Sequence, residues 1–200
     1  MAFLLPLIMI TLLLIAINVL VYAILAYKSG NFLEIDIEYM KILGISKGSF
    51  LSGNYYQIIS SFFVHFDLPH LGYNMVFLGI FGFKAEKLYG KKLFLLIYFV
   101  SGMLSSLVCF FYPDFALFAG ASGAIFGILG AVLIAQRNVY PQGVYTSLYY
   151  AFVFFILAAT TGFISHLLGL VIGFLLGYMI TKDWYPEEVG EIEEDVEKSF

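Results

Sequence analysis

The residues whose types could do chemistry together are Ser122, His166, His70 and Asn74. Ser122 stands in Gly120-Ala121-Ser122-Gly123, where neighbours with almost no side chain leave its hydroxyl uncovered and let other backbone come close. Serine is a favoured residue at a helix start, so its oxygen is expected to cap a helix opening there. His70 and Asn74 are four residues apart, one turn on one helical face. His166 precedes Gly169, Gly173 and Gly177, whose spacing makes a stripe of glycine on its own face. Such a stripe admits a close neighbouring helix, and the Gly123, Gly127 and Gly130 side of the Ser122 helix is the expected partner. That pairing would bring His166 against Ser122. A serine nucleophile with a histidine base follows, the imidazole staying neutral in a partly buried place. The Ser122 N–H, the Asn74 amide and the His70 ring are candidate donors to an oxyanion.

Other chemistries lack their residues. There is no His-Glu-x-x-His, and His65 and His70 are five apart, a poor spacing for two zinc ligands on one helix. Gly120-x-Ser122-x-Ala124 departs from the Gly-x-Ser-x-Gly elbow of soluble hydrolases. No acid falls within an apolar span, which removes a paired-aspartate mechanism. No metal or cofactor is expected. The competing interpretation of Gly123-x-x-x-Gly127 is helix packing alone. Against it stands the cost of intramembrane polar groups, which makes Ser, His, His and Asn at one membrane level hard to explain by packing.

The elements that must position these residues are membrane spans. The chain has 200 residues, 62% hydrophobic and 12% charged, with a mean hydropathy of +0.94, values of a polytopic all-α membrane protein. Nothing is basic enough for nucleic acid, and the single Cys109 permits no internal disulfide. Apolar runs predict six spans: 3–27, 69–83, 93–112, 122–136, 145–160, and, after a break at Thr161-Gly162, a last one to Ile180. The first is too long for a signal-peptide core and reads as a retained anchor. A long first loop, 28–64, lies partly in the interface. Lys84, Lys87, Lys91 and Lys92 with Glu86 mark a loop between spans two and three, Pro113-Asp114 a turn, and Pro141-Gln142-Gly143 another. The Lys/Arg bias, with Arg137 and Lys182 on the same side as those lysines, puts both termini in the cytoplasm. Spans two, four and six then all start at the outer face. A helix from Ser122 to Gln136 is about 21 Å long at 1.5 Å per residue, short of the roughly 30 Å hydrocarbon core, so Ser122 is expected about 10 Å below one surface. Residues 1–182 form the membrane domain and 183–200 an acidic, solvated cytoplasmic tail.

In these residues the chain resembles the rhomboid family of intramembrane serine proteases. The resemblance rests on His65-Phe66-Asp67-Leu68-Pro69-His70-x-x-x-Asn74, on Gly120-Ala121-Ser122-Gly123 and on His166-x-x-Gly169-x-x-x-Gly173, in the family's order and on its second, fourth and sixth helices. It implies a six-helix bundle, a Ser122/His166 dyad and oxyanion contributions from His70 and Asn74. It also implies cleavage of transmembrane segments of other membrane proteins near the outer face of a cell membrane. Two departures stand out. The family's Trp-Arg pair in the first loop is Tyr56-Gln57 here, and a common Tyr one turn after the nucleophile is Phe126, which can still stack on His166. The fifth span, carrying Tyr149, Tyr150, Phe154 and Phe155 with small residues at its outer end, is the expected mobile side for substrate entry. The rival functions are a catalytically silent relative that binds and escorts membrane proteins, and a small transporter. The latter would carry an interior acid or a half-to-half repeat.

Overall fold

The computed structural model describes residues 5–136, 141–158 and 162–182. Arg137, residues 159–161 and the acidic tail at 183–200, all singled out above, lie outside the described residues. The described chain is helical, with two isolated β-bridges. Helix α1 covers Leu5–Ser29, and the first loop holds three short helices, α2 (Ile37–Leu43), α3 (Lys47–Leu51) and α4 (Gln57–Ser60). Next come α5 (Leu68–Ser106), α6 (Ser122–Ala135), α7 (Pro141–Ala158) and α8 (Phe163–Thr181). Among the described residues, three stretches are long and apolar enough to cross a membrane: Ile10–Ser29, Leu68–Phe111 and Phe163–Thr181. Ser122–Ala135 and Tyr145–Ile156 are shorter apolar helices.

The lysine-rich loop expected between spans two and three does not form. The helix runs on through Lys84 and Lys87 to Tyr89, and only Gly90 leaves helical geometry, at φ 70° and ψ 167°. Apolar periodicity explains this, because Ala85, Leu88 and Tyr89 are all buried and keep one face of the helix in the core. Gly90 supplies the positive φ that breaks the helix there. The two arms of α5, 68–89 and 91–106, then run back alongside each other. His70 at one end and Ser105 at the other both meet the Gly120–Gly123 segment.

Continuation of that helix also overturns the expectation that no acid lies inside the bundle. Glu86 is buried and accepts from the Thr11 hydroxyl (2.7 Å), the Thr11 amide (2.9 Å) and the Ile10 amide (3.2 Å). Three donors offset the cost of burying the carboxylate and tie α1 to α5. This acid lies sixteen residues beyond His70 on the same arm, about 24 Å along the axis. It is structural and remote from the serine. Pro141-Gln142-Gly143 is likewise the first turn of α7 and not a separate turn. Proline at that position has its φ already set and lacks only a hydrogen that the first turn leaves unbonded.

Helix α6 is the centre of the bundle, with every residue from Ser122 to Leu133 buried. It packs on both arms of α5 and most closely on α8. A β-carbon added to Gly169 would collide with the Gly123 carbonyl, and one at Gly173 with the Gly127 carbonyl. Gly177 sits over Ala131, where an added β-carbon would come 2.8 Å from its Cα. The Tyr89 hydroxyl donates to the Ala131 carbonyl at 2.6 Å and fixes the other side. Helix α7 docks through Phe154, whose ring stacks on Phe126 (4.6 Å) and Phe77 (4.4 Å).

Gly173→Ala should therefore cost about 1–3 kcal/mol through overpacking against backbone that cannot move aside. Gly79→Ala, where an added methyl meets nothing closer than 4.0 Å, is the matched control. Thermal unfolding in detergent compares the two; equal midpoints would show that the α6–α8 contact is compliant.

Candidate active site

The nucleophile candidate owes its position to a glycine and a helix start. Gly120 has φ 109°, a conformation that side chains avoid, and its amide donates to the Ser61 carbonyl at 2.8 Å. A β-carbon there would lie 2.6 Å from His70 Nε2. The chain then enters α6, whose N-cap is Ala121, with no side-chain cap. Ser122 is the first helical residue, as expected, but its side chain makes no capping bond. Its Oγ lies 2.9 Å from His166 Nε2. The hydroxyl is thus within hydrogen-bond distance of a ring on α8, which the glycine contact between α6 and α8 brings close.

His166 is placed by Gly162, which caps α8 at φ 91° and accepts the His166 amide at 3.0 Å. Its ring stacks on Phe126, 4.7 Å away at 24°, and Phe126 is backed by Phe154. The expected stack therefore forms without a phenol hydroxyl. His166 Nδ1 is buried and has no partner among the described residues. With Nε2 accepting the Ser122 O–H, Nδ1 carries the proton, and no carboxylate orients it.

A cavity of about 590 Å³ opens over these groups. Ser122 and His166 line it together with His70, Tyr73, the 116–120 segment, and Ser105, Ser106 and Ser165. His70 is held at the start of α5, where Asp67 Oδ1 accepts its amide at 2.6 Å, and its ring stacks on Tyr73. Asn74 is fully buried one turn on and does not line the cavity. Its Nδ2 donates to the His70 carbonyl at 2.8 Å, and its Oδ1 has no partner among the described residues. Gly123, Gly169 and Gly173 act through packing, as above. Among the described residues, no group of three or more His, Cys, Asp or Glu could hold a metal ion.

Several site residues escaped the sequence reading. His65, there part of the resemblance motif and weighed as a zinc ligand but given no role in the site, is buried 5.0 Å from the His70 ring, and its Nε2 accepts the Ala121 amide at 3.5 Å. Ser61, Ser105, Ser106 and Ser165 looked like ordinary small residues of membrane helices. Only the fold gathers them around one cavity.

The first loop braces the cavity wall. Ile45 and Phe118 exchange both backbone hydrogen bonds, at 2.9 and 2.8 Å, and the Gly48 amide donates to the Asp114 carbonyl at 3.0 Å. Lys47 pairs with Asp114 at 2.9 Å. The departing pair Tyr56-Gln57 organises this loop. Gln57 Nε2 donates to the carbonyls of Lys41 (2.9 Å) and Ile42 (2.8 Å), the Tyr56 hydroxyl also reaches Ile42, and Gln57 Oε1 accepts from Ser49.

Known proteins bear on this arrangement directly. The Rhomboid domain signature matches residues 52–183, and the chain belongs to the rhomboid family. It is an integral membrane protein. It is 30% identical over 142 residues to the rhomboid protease GluP of Bacillus subtilis, a match that covers 69% of this chain and 27% of that relative. Against the putative rhomboid protease YdcA of the same organism it is 29% identical, over 64% of this chain and 68% of the relative. The rhomboid protease GlpG of Haemophilus influenzae is 28% identical over 86% of this chain and 91% of its own length. The chain thus spans about a quarter of GluP and nearly all of GlpG.

Gln57→Ala should leave the Lys41 carbonyl without its side-chain donor and the Ile42 carbonyl with that of Tyr56 alone, a loss of about 1–3 kcal/mol confined to the loop. Hydrogen exchange should rise across 38–52 while α6 stays protected. Unchanged exchange in the loop would mean that the Ile45–Phe118 bridge alone holds it.

Proposed function

We propose that this protein is an intramembrane serine endopeptidase that cuts transmembrane segments of other membrane proteins. The observation that carries the reading is the 2.9 Å contact between Ser122 Oγ and His166 Nε2 at a cavity in a rhomboid chain. His166 takes the Ser122 proton as the oxygen attacks a substrate carbonyl, and then returns it to the leaving amine. Negative charge on the tetrahedral oxygen is met by unbonded first-turn amides of α6, Ser122 N–H first, and by the His70 ring on the cavity wall. Asn74 contributes to the same hole by fixing the His70 backbone, or by turning its amide when substrate is bound. Stacking of Phe126 on His166 favours the imidazolium that forms in this step.

In this reading the chain crosses the bilayer six times, the arms of α5 counting separately, and both termini face the cytoplasm of a cell bounded by that membrane. Ser122 then lies below the outer surface, and cleavage falls near the substrate's outer end. A transmembrane helix bonds all its own carbonyls, so a substrate must unwind there first, which helix-breaking residues favour. Helix α7 is the side that yields, because Tyr145, Tyr149, Phe152 and Ile156 are exposed and Phe154 is its aromatic anchor. Its lipid-facing residues meet the bilayer, and single-span membrane proteins are the substrates. No metal or cofactor takes part.

Ser122→Ala should remove both cleavage of a model transmembrane substrate and labelling by a fluorophosphonate probe, with the fold retained. His166→Ala should cost nearly as much, since the pair acts as a unit. His70→Ala and Asn74→Ala should each lose about 10²–10³ in rate. An unlabelled parent protein would instead favour a silent relative that binds membrane proteins. Activity should also survive chelators, and recovery of a chelated sample on adding zinc alone would overturn the metal-free mechanism.

A further inference from the structure

The end of the bundle away from Ser122 gathers positive charge where the two arms of α5 turn back on each other. Lys84, Lys87, Lys91 and Lys92 surround Gly90 there. Lys92 is exposed and the other three are half-buried. Glu86, the one acid among them, is directed into the bundle toward Thr11 and Ile10. The other acids among the described residues belong to the first loop, the start of α5 or the segment before α6. Those three pieces meet at the serine end, through the Glu34–Asp67 and Ile45–Phe118 bridges and the Gly48 to Asp114 bond.

Helix α8 brings the balancing charge to the lysines. A β-carbon added to Gly177 would lie 3.1 Å from the Tyr89 hydroxyl, and Tyr89 immediately precedes Gly90. The helix ends at Thr181, four residues on, or about 6 Å along its axis. Eight of the chain's 14 Asp and Glu then follow within residues 183–197, a stretch without Lys or Arg. Fifteen residues can span roughly 50 Å, so this segment reaches every lysine of the turn. The start of α7 is joined here as well. Lys84 Nζ donates to Ser147 Oγ at 3.5 Å, and Ser147 Oγ donates to Gln136 Oε1 at 3.1 Å.

We propose that the acidic segment 183–197 folds back onto the lysines at the turn of α5 and forms an intramolecular clasp. Isolated exposed ion pairs are weak. Eight carboxylates tethered beside four lysines act together at a high effective concentration, within reach of the roughly 8 Å screening length of physiological salt. That tether favours the chain's own segment over an anionic lipid headgroup, which has to be recruited from the bilayer. The clasp covers the end at which α7 is joined to α5 and α6, and it is independent of the chemistry at Ser122.

The test treats the full-length protein, in nanodiscs of phosphatidylcholine, with a carbodiimide that joins carboxylates directly to lysine amines. Mass spectrometry should find cross-links within single chains between 183–197 and Lys84, Lys87, Lys91 or Lys92. They should fall several-fold in about 1 M salt, where the screening length is about 3 Å. A protease that cuts after Glu gives a second readout. Lys91→Gln/Lys92→Gln, which retains the Lys84 bond to Ser147, should speed cleavage of the segment by about 3–10-fold. Lys91→Arg/Lys92→Arg, which keeps the charge, should match the parent rate. Absence of these cross-links, cross-links only between two chains, or equal cleavage of the parent and the Gln variant would each overturn the clasp. Loss of both cross-links and protection in nanodiscs rich in phosphatidylglycerol would also overturn it, because lipid headgroups would then hold the lysines.

Discussion

Everything at the site depends on how closely two backbones can approach. In a bilayer the lipid is as apolar as leucine, so helices gain little by hiding oily surface from it and associate through packing instead. Helices α6 and α8 meet across Gly123, Gly127, Gly169 and Gly173, and a single carbon added at Gly169 or Gly173 would strike the carbonyl oxygen of Gly123 or Gly127. At that separation the side chains at the helix starts are within reach of one another. Ser122 opens α6 and His166 lies in the first turn of α8, so their 2.9 Å contact is a consequence of the glycine contact below them.

Polar groups in this bundle fall into sets with different physical roles. Near the cavity two buried side-chain atoms, His166 Nδ1 and Asn74 Oδ1, have no partner among the described residues. At the far end, Glu86 is fully engaged by Thr11 and Ile10 and acts as a pin between α1 and α5. The first loop forms a third set, spending side-chain donors on its own carbonyls and lending its edge to the cavity wall through Ile45 and Phe118. Unspent polarity near a hydroxyl suits chemistry, whereas fully spent polarity only holds helices together.

Aromatic stacking links the site to the helix most open to the bilayer. The series His166, Phe126, Phe154 and Phe77 runs from α8 through α6 and α7 to α5 in centroid steps of 4.7, 4.6 and 4.4 Å. Phe154 is the member of that series supplied by α7, so displacement of α7 would unstack Phe126 on one face. In rhomboids with a tyrosine at this place a hydroxyl is also present; here the ring face alone supports His166.

Much of this was legible in the residues. Glycine at four-residue spacing on two runs, with a serine at one and a histidine at the other, implies a close helix pair with those two side chains near each other at its end, because spacing on a helix fixes which side chains share a face. Hydropathy implied the membrane, and His65 through Asn74 implied a third polar contribution. Local patterns failed where the outcome depended on a distant partner. The charges at 84–92 look like a loop, yet the buried face of Ala85, Leu88 and Tyr89 carried the helix to Gly90. Glu86 looked solvated until Thr11, seventy-five positions away, supplied its donors. Ser122 had the features of a helix start, and only the fold sets a ring on another helix against its hydroxyl. What the amino-acid order determined by itself was therefore which residues share a helical face and which faces can pack closely. The tertiary structure alone decided how each hydrogen-bonding group is spent, since that depends on distances between atoms remote in sequence, and those distances gather Ser105, Ser106 and Ser165 around the cavity of Ser122.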